Sequence, residues 1–278
     1  MASRVLPFPQ RIVVELTPQC NLTCRMCPRH LITNHDGFMP VDFWEQIIDE
    51  IKVASPSSIL LPFWRGESCL HPHFARCMQY AFAAGLRVHL STNGHFMEQA
   101  HIDLFNQCEF LTFSIHNGIG FNNACRFVQT QKTGTVITQV SVVDCEKNST
   151  NYLQQLTQDP NLGGFDSIRL YIEHSKDGQF GFSSRQIGQE RFFCPKLENT
   201  LVISFNGHIS RCNHIWVTEA GPNIAQTTIQ NAWTSETMET IRSRYPDSLC
   251  GPCEQWLGHT QGEAWTKGPA SIEHTIYG

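Results

Sequence analysis

A chain of 278 residues, 41% of them hydrophobic, has room for one large domain plus a small appendage and enough apolar material for a sizeable core. It holds no apolar run of about 18 residues, which excludes a membrane-spanning helix, and a net charge of −5 without a basic run argues against nucleic acid as partner. The first ten residues lack a signal-peptide core, so a cytoplasmic, reducing setting is expected, where twelve cysteines mean metal ligation or chemistry rather than disulfides.

From Arg11 to His174, short apolar runs alternate with helical patterns. Arg11–Leu16, Ser58–Phe63, Leu86–Ser91, Phe110–His116, Thr135–Val143 and Ser167–Ile172 read as strands. Val41–Val53, His73–Ala84, Met97–Asn106, Phe121–Gln131 and Ser149–Gln158 read as helices, the first with an amphipathic stripe of Phe43, Ile47, Ile48 and Ile51. Strands alternating with helices imply an α/β fold of parallel βαβ units with right-handed crossovers, as an open sheet or a curved partial barrel. Ser175 to Gln189 has a loop composition. Leu201–Phe205 and His208–Arg211 then flank Asn206-Gly207, a hairpin signal. A helix is expected over Ile229–Arg244, stopped by Pro246, and a weakly ordered polar tail from Gly258. The expected division is a core over 1–180, a module over 181–257 and the tail over 258–278.

Seven cysteines fall into two groups; Cys69, Cys77, Cys108, Cys125 and Cys145 lie singly, as small buried hydrophobes usually do. Cys20, Cys24 and Cys27 form CxxxCxxC directly after the first strand. Thiolates are the ligands of iron–sulfur clusters, and three on one loop grip three corners of a cubane while one iron stays open. Structural zinc wants four ligands, and no fourth is close in sequence. The second group, Cys194, Cys212, Cys250 and Cys253, is by itself ambiguous between zinc and a closed cluster.

The first motif and its position resemble the radical S-adenosylmethionine (SAM) superfamily. Phe63-Trp64-Arg65-Gly66-Glu67-Ser68 is similar to that family's GGEP loop, Ser91-Thr92-Asn93-Gly94 to its TNG, and Ser114-Ile115-His116 to its ribose-contacting strand end. The resemblance implies a partial (β/α)6 barrel and a SAM-binding [4Fe–4S] cluster on Cys20, Cys24 and Cys27. It also implies SAM contacts from Gly66, Glu67, Ser68, Asn93, Ser114 and Met26. Arg65 stands where the family has Gly, Ser68 where it has Pro, and Met26 where it is usually aromatic; Arg65 is expected to pair with Glu67 or a ligand. The order of the second group resembles the twitch module, a shortened SPASM domain of hairpin plus helix. That resemblance implies an auxiliary [4Fe–4S] cluster on Cys194, Cys212, Cys250 and Cys253.

Ile115-His116-Asn117-Gly118, and Glu173-His174-Ser175 leading to Ser183-Ser184-Arg185, are similar to the 2-deoxy-scyllo-inosamine dehydrogenase branch. The resemblance implies a small hydroxylated substrate, an alcohol-to-carbonyl oxidation, Arg185 as a substrate contact and a flavodoxin or ferredoxin as reductant. Cys69 is the candidate thiol if the enzyme is instead an epimerase, which returns a hydrogen atom to its substrate. The same motifs also fit a peptide maturase, or a non-catalytic iron–sulfur or zinc protein.

Overall fold

The computed structural model describes residues 6–24, 26–32, 36–144, 159–172, 175–176, 179–180, 193–216, 221–250 and 264–266. The expected helix Ser149–Gln158 lies outside them. The chain divides into two compact units, Met1–Val88 with Ser175–Gly258, and His89–His174 with His259–Gly278.

In the first unit, β1 (Arg11–Val14) is the central strand, with Ile12, Val13 and Val14 buried. It pairs in parallel with β2 (Ile59–Leu61) on one side and with β9 (Thr200–Ile203) on the other. β10 (Ile209–Ser210) returns antiparallel on β9. Such uninterrupted apolar strands suit a parallel sheet covered on both faces. The hairpin is therefore a continuation of the β1 sheet, which periodicity alone did not show. Its turn is closed by Gly207 N–H donating to Ser204 at 2.8 Å, and Gly207 takes φ +85°, a conformation glycine adopts without steric cost.

Helix α1 (Val41–Ala54) buries Trp44, Ile47, Ile48 and Ile51. Trp44 thus replaces Phe43 in the expected stripe, and its indole N–H is satisfied by the Cys77 carbonyl of α2 (Phe74–Ala83) at 2.8 Å. The helix expected over Ile229–Arg244 is two helices, Ile229–Trp233 and Glu236–Ser243. Thr234 and Ser235 divert their hydroxyls to the Gln230 and Ala232 carbonyls, and Ser235 then caps Met238 N–H. Such local side-chain bonds compete with helix continuation and favour a new N-terminus.

In the second unit, β3 (Arg87–Thr92, from His89 on), β4 (Phe110–Ile115), β5 (Ile137–Asp144) and β6 (Ser167–Ile172) pair in parallel in that order. Helices α3 (Gln99–Phe105) and α4 (Gly118–Arg126) complete the βαβ units. Leu90, Leu111, Phe113, Val140 and Ile168 are buried on one face of these strands. Phe113 meets Phe105, Phe127 and Phe165 there, ring to ring.

Two expectations of irregular chain are corrected. Ser175–Lys176 (β7) and Gln179–Phe180 (β8) form an antiparallel pair inside the stretch read as loop. Asp177-Gly178 between them is itself a turn-forming pair in sequence. Ala264–Thr266 (β11), in the stretch read as a tail, pairs antiparallel with β6.

Candidate functional site

The loop that follows β1 carries Cys20, Cys24 and Cys27, all partly buried. Leu22 N–H points at the Cys20 sulfur at 3.5 Å, and Cys27 N–H closes a turn on the Cys24 carbonyl at 3.0 Å. Cys27 also precedes the 3-10 turn Pro28–Leu31 as its cap residue, so proline starts the turn where no N–H is needed. Burial pushes both the Cys20 and Cys27 thiols up, and Cys27 adds a little to the rise at Cys20. Met26 is partly buried within the same loop.

No histidine or carboxylate occurs between Cys20 and Cys27. An all-sulfur, three-ligand loop fits an iron–sulfur cluster with one open iron. Among the described residues no three His, Cys, Asp or Glu side chains converge as ligands of one metal ion.

The loop after β2 packs directly on the approach to Cys20. Glu67 N–H donates to the Gln19 carbonyl at 2.8 Å. A Cβ on Gly66 would stand 2.3 Å from the carbonyl oxygens of Thr17 and Gln19, so only glycine admits this contact. The Glu67 carboxylate caps the Cys69 N–H at 3.2 Å and Ser68 Oγ donates to Pro62 at 2.5 Å, all three residues being buried. Cys69 is thus the middle residue of a short 3-10 turn, Ser68–Leu70. Arg65 pairs with Glu15 rather than with Glu67, because Glu67 is turned into its own loop.

In the second cysteine group, Cys212 and Cys250 lie beside charged residues. Cys194 caps the short helix Pro195–Asn199, whose Lys196 acts on Cys212. Burial pushes the Cys212 thiol up, and burial with Asp247 pushes Cys250 up to about 11, Cys212 adding to it. Arg211 pairs with Asp247, which accepts the Cys250 N–H at 3.0 Å. The residue before Cys212 is thereby tied to the segment entering Cys250. Arg242 joins the remaining helices, donating to Leu197 and Trp233 carbonyls at 3.1 and 2.9 Å and stacking on Trp233. Cys253 lies outside the described residues, as do Arg185, Glu173 and His174.

In the second unit Asn93 is buried and its Oδ1 accepts the His95 N–H at 3.1 Å, while Asn123 of α4 holds the Gly94 carbonyl. Ser114 Oγ lies 3.2 Å from Ser91 Oγ. Opposite the apolar face, Thr112, Gln139 and Ser167 are in register across β4, β5 and β6, and Ser114, Ser141 and Arg169 form the next row on the same face. Gln139, Ser141, Ser167 and Arg169 are buried. That face therefore displays hydroxyls, an amide and a guanidinium. Of these rows sequence reasoning named only Ser114, and it missed Glu15, Arg211, Asp247 and Arg242. The available signal was a charged residue set within or beside a short apolar strand or helix, where an unpaired charge is rare.

The lone thiols Cys77 and Cys125 are buried within helices and pushed up to about 12 and about 11, chiefly by burial, as expected of small hydrophobes. No helix among the described residues is long and apolar enough to cross a membrane.

Residues 194–254 match the SPASM family, an iron–sulfur cluster-binding domain. The chain is similar to an S-adenosylmethionine-dependent nucleotide dehydratase of Selenomonas ruminantium, 28% identical over 108 residues, 38% of this chain and 38% of the relative. The chain thus spans well under half the length of that curated relative. Among solved structures, BtrN in complex with AdoMet and 2-DOIA aligns with a TM-score of 0.55 and 14% identity, over 84% of this chain and 86% of BtrN. Streptococcus suis SuiB bound to S-adenosylmethionine aligns with a TM-score of 0.68 and 13% identity, over 91% of this chain and 72% of SuiB. SuiB bound to precursor peptide SuiA gives a TM-score of 0.66. The expected α/β fold is borne out by its likeness to these SAM-binding structures, and the expected SPASM-like iron–sulfur module by the family match over residues 194–254.

Proposed function

With a radical SAM fold and a SPASM-type iron–sulfur module as the starting point, we propose that this chain is an enzyme that oxidises an alcohol of a small hydroxylated substrate, sugar- or aminocyclitol-like, to a carbonyl. The observation that carries the reading is the polar strand face of the second unit. Thr112, Ser114, Gln139, Ser141, Ser167 and Arg169 set a largely buried polar network at the spacing of adjacent strands, with Gln139 donating to Ser167 at 3.1 Å and Ser114 meeting Ser91. Such a network is able to exchange partners with several hydroxyls of one small molecule. BtrN, crystallised with 2-DOIA, supports the substrate class by analogy of fold.

When bound, SAM and the cluster on Cys20, Cys24 and Cys27 supply a 5′-deoxyadenosyl radical for hydrogen abstraction, and an auxiliary cluster supplies an electron acceptor. The protein's own part is to seat and orient these groups. Gly66 lets the β2 loop lie against the cluster loop. Gly66, Glu67 and Ser68 are assigned to the SAM amino group, on a loop held in shape by Ser68 Oγ and one Glu67 carboxylate oxygen. Asn93, Ser114 and Met26 are assigned to the nucleoside, Arg185 to a substrate hydroxyl, and Cys194, Cys212, Cys250 and Cys253 to the auxiliary cluster. The electron for SAM cleavage comes from a flavodoxin or ferredoxin.

The test is anaerobic reconstitution with iron and sulfide, then dithionite, SAM and a panel of polyols and aminocyclitols. One 5′-deoxyadenosine per carbonyl product is the expected result; no 5′-deoxyadenosine overturns the reading. SuiB with its bound peptide favours a second reading, a peptide-modifying enzyme, and peptides belong in the same panel. Mass spectrometry separates these from a dehydratase, whose product is lighter by water rather than by two hydrogens.

A further inference from the structure

Glu15 is fully buried and Arg65 nearly so, at 0% and 7% side-chain exposure. They form a two-pronged pair, Arg65 Nε donating to Oε1 at 2.7 Å and Nη2 to Oε2 at 2.6 Å. Removing such a pair from water carries a desolvation penalty that can exceed its Coulombic gain, so that gain alone is weak grounds for its presence. What distinguishes it is what it holds. The remaining guanidinium nitrogen, Nη1, donates to the Trp216 carbonyl at 3.3 Å. The neighbouring Trp64 donates its indole N–H to the Asn213 carbonyl at 2.9 Å, with the guanidinium stacked 4.1 Å from its ring centroid.

Two adjacent residues of the β2 loop therefore hold both ends of Asn213–Trp216, the segment that follows Cys212. Glu15 fixes the guanidinium from the β1 end, and also accepts the Phe205 N–H of the hairpin turn at 3.3 Å. Lysine has no fork that can reach a carboxylate and a separate carbonyl together. The apolar cluster of Val13, Leu61 and Val202, with Trp64 packed on it, provides the dry floor.

We propose that Arg65, oriented by Glu15, is a positioning residue that fixes the Asn213–Trp216 segment and so sets the surroundings of an auxiliary cluster ligated through Cys212. The inference rests on the proposed cluster assignment for its second half and on geometry alone for its first. Its test uses Arg65→Lys, Arg65→Met and the charge-free pair Glu15→Gln with Arg65→Gln, the last guarding against unfolding by a stranded carboxylate.

In metal-free protein, amide exchange at residues 213–216 is expected to quicken about tenfold in the Met and double variants, the equivalent of one charged hydrogen bond. In protein reconstituted with Cys20, Cys24 and Cys27 replaced by Ala, the electron paramagnetic resonance signal of the reduced auxiliary cluster is expected to shift in all three. Arg65→Lys is expected to keep its melting temperature yet still show the shifted signal, which separates positioning from general stability. Unchanged exchange in a folded double variant overturns the inference. Lack of any auxiliary signal in protein with Glu15 and Arg65 intact overturns the cluster assignment instead, and exchange then decides the positioning claim by itself.

Discussion

The backbone N–H of Glu67 donates to the Gln19 carbonyl at 2.8 Å, so the loop after β2 is bonded to the residue immediately before Cys20. Gly66 makes this approach possible, since a Cβ there would meet three backbone atoms of Thr17–Gln19 within 2.6 Å. Backbone cannot step aside as a flexible side chain can. Gly66→Ala is therefore expected to cost about 1–3 kcal/mol, the range for overpacking a tight interior, and to weaken SAM binding as well. Denaturant unfolding and equilibrium SAM binding on the same preparation check both parts.

Iron stoichiometry tests the division of the cysteines. Reconstituted protein should hold about eight irons per chain, as two [4Fe–4S] clusters require. Replacing Cys20, Cys24 and Cys27 by Ala should leave about four, and so should replacing Cys212 and Cys250. The first variant should lose 5′-deoxyadenosine formation outright. A zinc site in the second group would instead show no loss of iron on removing Cys212 and Cys250.

Much of this was legible in sequence because parallel strands and amphipathic helices declare themselves by period. The strands at Arg11, Phe110 and Ser167 begin where the apolar runs begin. The cysteine groups declared themselves by spacing, and their signals survive any fold. What was hidden depends on pairing between distant segments. Nothing in Leu201–Phe205 says that it lies beside Arg11–Val14, and nothing near Arg65 says that its partner is Glu15, fifty residues away. Trp44 displaced Phe43 from the stripe because the Cys77 carbonyl waits for an indole N–H, a contact invisible to periodicity. Ser235 looked like an ordinary helix residue, yet its hydroxyl starts a new helix.

Asp166 gives a pH dependence of known sign. Burial pushes its carboxyl up, but Lys132 Nζ at 2.7 Å and the Thr138 N–H and hydroxyl at 2.6 and 2.8 Å outweigh that and hold it below the usual carboxylate range. A depressed folded-state pKa contributes stability that is present above the unfolded value, about 3.9, and is lost as pH falls through the folded value. Asp166→Asn is therefore expected to destabilise by about 0.5–1 kcal/mol near neutral pH, solvent screening at a half-exposed carboxylate keeping the effect small. The gap between variant and parent should narrow below about pH 4. Urea midpoints at both pH values, on metal-free protein, decide it; a gap that widens on acidification refutes the assignment.

Cys69 separates oxidation from epimerisation. Its thiol is buried in a short turn whose N–H is capped by Glu67, so the residue serves packing whatever else it does. An oxidation needs no returned hydrogen atom: the substrate loses one to the 5′-deoxyadenosyl radical, then an electron and a proton. Cys69→Ala should then keep its carbonyl product and lose about 1 kcal/mol of stability, an ordinary value for trimming a buried side chain. Run in deuterium oxide, the reaction should return substrate with no deuterium on carbon. An epimerase behaves oppositely, because a thiol hydrogen exchanges with solvent and is delivered to the inverted carbon. Deuterium at one carbon of an isomerised product, absent from the Cys69→Ala reaction, would move Cys69 from packing to catalysis and replace the oxidation reading with epimerisation.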